Sequence, residues 1–491
     1  MNMKKIMIYG LSLLTLGLSS CNGFLTEEPV TELDTETVLS TYESLNKAML
    51  GTYSALNDGT WYGAGFVLSC ELRSGNAKNP TNTDFTSGRY INEYSWVYLD
   101  SNTSGLWNYA YFLIAQANNI INNVDGKELP DVTTQDLNNI KGEAMFLRAL
   151  SYFDLLRTYA QPYTYAPQSP GVSITLVVDK DARPSRNTVA ECFDQVVKDL
   201  LEAESLMDDE YTRYDAADPY SVVSKPAIWG LLSRVYLYMG EWQKCADYAT
   251  KVIDSGLFSI FTESQLPNVW GKDASDGGEV IFEVYGSDKN YYNEYWEDIS
   301  WMTNPDGYAD VASTADLRDL YEAGDVRLKL FKSHKEAPDH FWTTKYTAKD
   351  ASSRPSYANI VVLRLSEMYL NRAEALAHGA TIAGATADGD LLAITSNRGA
   401  SPVTATLENI LLERRKELAF EGHRFWDVRR WKEGDKHFKN IVEMKITKNG
   451  DDTYTYERKV KERSWDDKMY LFPIPDSEIR KNPNLIQNPG W

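Results

Sequence analysis

The stretch KPAIWGLLSRVYLYMGEWQKCADYATKVIDSG, from Lys225 to Gly256, leaves few folds open. Trp229, Leu232, Ser233 and Tyr236 recur at three- and four-residue steps, which places them on one face of a helix. Gly240 interrupts the pattern, and Trp242, Cys245, Ala249 and Val252 resume it. Two short helices with such faces bury them by packing side by side, large residues of one over small residues of the other. The same period runs from Leu45 to Leu56 and from Trp107 to Val124, where Leu113, Ile114, Ala117, Ile120 and Ile121 share a face. It returns from Gln135 to Tyr159, through Ile140, Ala144, Leu147 and Leu150 or Ser151, and from Val189 to Met207. A further pair is drawn from Leu365–Leu370 to the helix around Leu411.

The 225–256 spacing resembles a tetratricopeptide repeat, with Cys245 in the small-residue slot. The expected fold is therefore mainly α, with tetratricopeptide-like helix pairs as a scaffold. Glu71–Ser104 and Tyr285–Tyr357 break the pattern: they are rich in Asn, Asp, Gly, Ser, Tyr and Trp without sustained periodicity, while Asp451–Arg458 alternates like a strand. Irregular segments of this length inside a compact protein usually carry function, so they are expected to form a loop-rich, partly β ligand-binding lobe.

The N-terminus reads as a leader. Lys4 and Lys5 precede an apolar run from Ile6 to Leu18, and Leu18-Ser19-Ser20-Cys21 follows with small residues before a thiol. A span of the bilayer needs about 20 apolar residues, so the run suits a secretion signal, residues 1–20, better than an anchor helix. The tetrad resembles the lipobox of bacterial lipoproteins, which makes Cys21 the expected lipidated first residue. Cys70, Cys192 and Cys245 then remain; an odd number without a CxxC pair predicts buried free thiols and no disulfide framework.

Lys and Arg total 50 against 70 Asp and Glu, a net charge of -20 that repels phosphate backbones and excludes nucleic acid as a natural partner. The 31 Tyr and 13 Trp exceed what a core requires, and their flat apolar faces with polar tips suit a binding surface. Enzyme signatures are missing: there is no HExxH, GxSxG, GxxxxGK[ST] or dinucleotide fingerprint. Asp273-Ala-Ser-Asp276-Gly-Gly-Glu279 lacks the alternating ligands of a calcium loop and reads as a solvated turn. ERRKELAFEGHRFWDVRRW, Glu413–Trp431, places opposite charges at i,i+3: Glu413 with Lys416, Arg414 with Glu417, Glu421 with Arg424, Asp427 with Arg430. The simplest expectation is one charged helix docked by Leu418, Phe425 and Trp426, with a catalytic His423 as the sharper alternative.

That segment, together with VLRLSEMYLNRAEAL (Val362–Leu376) and LFPIPDSEIRKNPNLIQNPGW (Leu471–Trp491), resembles the SusD/RagB family of Bacteroidetes outer-membrane lipoproteins. WNYAYFLIAQANNII (Trp107–Ile121), GEAMFLRALSYFDLLRTYA (Gly142–Ala160) and the FLTEEP after Cys21 extend the likeness over nearly the whole mature chain. The resemblance implies a SusD-like α/α superhelix, divided into an N-terminal region 21–260 and a C-terminal region 261–491 that carries the variable loops and the charged helix. It implies a non-catalytic lipoprotein, without cofactor or metal, lipid-anchored at the outer membrane and facing the exterior. Such a protein captures oligosaccharides and delivers them to a SusC-like TonB-dependent transporter. A RagB-type peptide-uptake role is the alternative, and a glycoside hydrolase the next. The two irregular blocks then supply the expected contacts: Trp96, Tyr98, Tyr292, Trp296 and Trp301 for stacking on sugar rings, and Arg73, Asn76 and Asn102 for hydroxyls.

Overall fold

The computed structural model describes residues 39–80, 86–272, 278–287, 296–347, 357–437, 441–448, 450, 454–461 and 467–491. The leader, Cys21, Tyr292 and residues 273–277 of the acidic turn lie outside the described residues.

Helices dominate, and their ends follow from local chemistry. The chain forms α1 (Tyr42–Ser54), α2 (Gly65–Arg73), the one-turn α3 (Ile91–Tyr94), α4 (Asp100–Val124), α5 (Thr134–Tyr159) and α6 (Val189–Leu206). Thr133 caps α5 by accepting from the Asp136 amide at 3.1 Å while Asp136 accepts from the Thr133 amide at 2.8 Å, so the first turn starts with its donors satisfied. From Gly142 to Tyr159 every residue of α5 is buried, because α4 and α6 pack on either side of it. Polar ties fix the three together: Arg148 of α5 donates to both oxygens of Asp199 on α6 (2.8 and 2.7 Å) and to Asn118 on α4 (2.7 Å).

The pair read from 225–256 is present as α7 (Lys225–Met239) and α8 (Trp242–Asp254), with Gly240 in the left-handed region (φ +75°) closing α7. The Ser233 hydroxyl donates to the Cys245 carbonyl at 3.1 Å, tying the two helices together. The short α9 (Ile299–Met302) follows in sequence, while in space the stack continues from α8 to α10 (Leu365–Ala377) and on to α11 (Ala387–Thr395). Cys70, Cys192 and Cys245 are buried free thiols, as expected.

The charged segment departs from expectation: it is two helices, α12 (Leu407–Glu417) and α13 (Arg424–Trp431). Phe420 (φ +65°) and Gly422 (φ +76°) turn the chain between them, the Gly422 amide donating to Glu71 at 3.0 Å. Glu413 with Lys416 and Asp427 with Arg430 do pair, both at 2.9 Å, but the charges are buried and most bonds reach distant residues. Arg414 holds Asp427 (2.8 Å), while Glu417 and Glu421 bind Arg364 (2.7 Å each).

Strands are few. β1 (Ala77–Lys78), β3 (Ala312–Ser313), β4 (Phe331–His334) and β5 (Ala337–Thr343) form one sheet in the order β1-β3-β5-β4, and β2 (Val280–Val284) pairs antiparallel with β6 (Ile360–Arg364). β7 (Ile441–Lys448) and β8 (Tyr454–Lys461) make a hairpin, Ile441 opposite Lys461. β1 pairs with β3 with Ala77 opposite Ser313, which ties the first irregular block to the second. β2 and β6 are buried throughout, and Phe282 meets Phe146 of α5 edge-on at 5.2 Å. Among the described residues the main hydrophobic core draws on residues from Leu39 to Leu485, with smaller clusters such as those around Trp270 and Leu391. Among the described residues, no helix is long and apolar enough to cross a membrane.

Candidate functional site

The two irregular blocks converge on a cleft of about 360 Å³. One wall is the turn before α2, from Gly59 to Gly65, with Phe66 and Ser69; another is Gly88–Glu93 and the start of α4, Ser101–Leu106. Glu297 and Met302 come from the second block, and Tyr159, Trp426 and Phe472 form the floor.

Each wall is fixed by short-range chemistry. Asn102 accepts from the Leu99 amide (2.7 Å), capping α4, and its side-chain amide donates to Glu93 and the Val97 carbonyl, both at 3.1 Å. A Cβ added at Gly105 would meet the Thr60 side chain at 2.4 Å, so glycine is what lets α4 approach the 59–65 turn. The Ile299 amide donates to the Gly63 carbonyl at 2.8 Å and fastens α9 to that same turn. The rim segment 86–89 hangs on buried Asp310, which accepts from the Gly88 amide (2.9 Å) and from the Thr86 and Ser87 hydroxyls. Asn79 adds a bond to the Arg89 carbonyl at 2.8 Å.

Tyr90, half-buried at the cleft wall, has φ +60°, a conformation that costs a bulky L-residue about 1–2 kcal/mol. Burial pushes its phenol up, and Glu93, Glu297 and Asp310 push it further, against Arg89. Asp58, which accepts from the Thr60 amide at 2.8 Å, is raised by burial, with Glu297 adding to the rise. Arg89 lies exposed, its guanidinium 4.0 Å from the Tyr308 ring. The cleft thus offers a ring, hydroxyls, amides and carboxylates at hydrogen-bonding depth, an arrangement suited to holding a polyhydroxylated molecule.

The expected contacts divide. Asn102 lines the cleft, though its side chain is engaged in fixing the wall. Trp296 is 37% exposed and adjoins Glu297; Trp301 is half-buried in α9, edge-on to Tyr308 at 5.8 Å. Three others are buried in the interior and a fourth, Tyr98, is half-buried against the C-terminal segment. Trp96 is buried, edge-on to Phe425 (5.5 Å) and Tyr470 (5.3 Å), and offers no open face for stacking. Arg73 is buried between the rings of Tyr98 (4.8 Å) and Phe472 (4.7 Å). Asn76 is buried, donating to Glu71 (2.8 Å) and accepting from Arg415 (2.9 Å). Tyr98 donates to the Met469 carbonyl at 2.6 Å and packs on Phe472 and Trp491, so it secures the C-terminal segment. His423 is buried as well, and burial together with Arg234, Arg414, Arg157 and Arg364 holds its imidazole well below the ordinary value; it has no access to a ligand. Arg89, Tyr90, Glu93 and Glu297 are absent from the sequence-based expectation. Gly88 before Arg89-Tyr90 is the one local signal of an exposed turn there.

Comparison with known proteins places this geometry in context. A family model described as the SusD family matches residues 332–491, and one described as "Starch-binding associating with outer membrane" matches 23–237. SusD-like protein P2 of Formosa agariphila is 25% identical, with all of both chains covered. A SusD superfamily protein from Bacteroides thetaiotaomicron is 31% identical with a TM-score of 0.76, covering 91% of this chain and 100% of its own. A Bacteroides vulgatus protein provisionally described as sugar-binding is 29% identical with a TM-score of 0.76, covering 93% and 100%.

Proposed function

From the premise that the chain belongs to the SusD family, we propose that it is a non-catalytic glycan-binding lipoprotein of the outer membrane that takes up oligosaccharides in the 59–106/297–302 cleft. The observation that carries this reading is the convergence of two irregular blocks, far apart in sequence, on one cleft with an aromatic wall and a polar rim. The starch-binding and outer-membrane wording of the matched family model and the sugar-binding description of a relative support the ligand class and the location. Lipid on Cys21 would supply the membrane tether, and a SusC-like TonB-dependent transporter would receive the cargo. Tyr90 is the stacking face, and Arg89, Asn92, Glu93, Ser101 and Glu297 supply hydroxyl contacts, with exposed Trp296 beside Glu297 as a further aromatic contact.

Native gels cast with a panel of polysaccharides, run beside binding assays with a peptide panel, test the proposal. Retardation by at least one glycan is expected, with Trp296→Ala weakening it about threefold to tenfold, the loss of one aromatic contact. Binding of peptides alone would move the protein to peptide uptake, and new reducing ends appearing in the glycan would show it to be an enzyme.

A further inference from the structure

The cleft carries a sign of charge as well as a shape. Three charged side chains line it: Arg89, Glu93 and Glu297. Glu93 is 8% exposed and held in place by Asn102, so it cannot swing away from an incoming group. Glu297, from the second block, lines the cleft and is exposed, and it adds to the upward shift of both Tyr90 and Asp58. Arg89 stacks on Tyr308 at 4.0 Å, which directs part of its attraction to that ring. Of the three charged side chains, two are carboxylates and one is a guanidinium. Behind the wall stand Asp58 and Asp310, both buried, and the chain as a whole carries a net charge of -20.

Resting on the reading of this cleft as the glycan site, we infer that it selects by charge: it takes uncharged oligosaccharides and turns away counterparts bearing carboxylate or sulfate, with Glu297 as the residue that sets the discrimination. Like charges brought together inside a cleft are screened less than on an open surface. An uncharged sugar meets no such barrier, since its hydroxyls donate to the same carboxylates that repel an acid. A carboxylate in place of a hydroxymethyl group turns a donor facing Glu297 into a second anion.

The test uses the intact chain and matched probes. Starch, β-glucan, galactan and mannan are each run in native gels as such and after oxidation of their C6 hydroxymethyl groups to carboxylates. Whichever neutral glycan retards the protein should lose about tenfold or more of its affinity on oxidation at ~0.01 M salt, and most of that gap should close near ~1 M, where the Debye length falls to ~3 Å. Glu297→Lys should restore binding of the oxidised form in low salt while leaving the melting temperature unchanged, because Glu297 is exposed. Equal retardation by both forms would overturn the inference and leave the glycan site standing. Loss on oxidation that neither salt nor Glu297→Lys relieves would show rejection by shape, and would overturn it too. No retardation by any neutral or oxidised glycan would overturn the glycan-binding reading itself.

Discussion

Two regions of this molecule use charged side chains in opposite ways. Around α12, Glu417 accepts from Arg398 (2.7 Å), Arg364 (2.7 Å) and Arg327 (2.8 Å), while Arg364 also grips both oxygens of Glu421 (2.7 and 2.9 Å) and Arg398 reaches Glu279 (2.6 Å). All of these residues are buried. In the cleft, Arg89 and Glu297 are exposed, and Glu93 is held by the Asn102 amide at 3.1 Å. The first region spends its charges on itself and so specifies one arrangement of the helices; the second leaves hydrogen-bonding capacity turned toward solvent, where a ligand can use it.

The largest expected effect tests the first half of that contrast. Glu417→Ala would leave three buried guanidinium groups short of an acceptor, and breaking a buried charge set in this way costs about 3–5 kcal/mol. Burial alone would raise the Glu417 carboxyl, but Arg398, Arg364 and Arg327 hold it well below the usual range, so wild type keeps this contribution until the pH falls through that lowered value. Urea unfolding at neutral pH measures the loss; a change below about 1 kcal/mol would mean that the network is no more consequential than surface pairs.

A middle-sized effect comes from His423, buried among Arg234, Arg414, Arg157 and Arg364, the last of which also serves Glu417. Its folded-state value is depressed, chiefly by burial, so the unfolded chain binds a proton near 6.5 that the folded chain refuses. Stability from this group is therefore complete above 6.5 and falls as the pH drops below it, by up to about 1.4 kcal/mol per pH unit. Unfolding curves from pH 7.5 to 5.5 should show a shallower decline in His423→Gln than in wild type. Parallel curves would place His423 outside the charged interior.

What the sequence revealed follows the same division. The helices of the scaffold were legible because a 3.6-residue apolar period needs no knowledge of distant partners; Lys225–Gly256 gave both helices and the break at Gly240. The 413–431 segment was misread as one helix because its i,i+3 charges satisfy a local rule, whereas Glu417 and Glu421 are committed to Arg364 and Arg398 elsewhere in the chain. Trp96 and Tyr98 illustrate the limit for the site. Their type and surroundings match a ligand platform, yet Tyr470, Met469 and Phe472, some 370 residues later, turn them inward. Tyr90, six residues before Trp96 and likewise left-handed, lines the cleft, and nothing in residue type separates the two.

The smallest stability change, and the sharpest test of the contrast, belongs to Tyr90→Gly. Glycine adopts φ +60° without the penalty of about 1–2 kcal/mol that Tyr90 carries, though it returns about 0.5–1 kcal/mol of chain entropy to the unfolded state. Loss of the half-buried ring removes a further ~1 kcal/mol of packing, so the terms nearly cancel and unfolding should shift by no more than about 1 kcal/mol. Glycan affinity should nevertheless fall about tenfold, the worth of one stacking contact near 1.4 kcal/mol, and Tyr90→Phe should keep most of it because the ring remains. A strained backbone kept in place for ligand contact predicts this separation of binding from stability. If Tyr90→Gly instead binds glycan as wild type does, or unfolds several kcal/mol more easily, then Tyr90 is packing like Trp96, and the cleft loses the feature that distinguishes it from the charged interior.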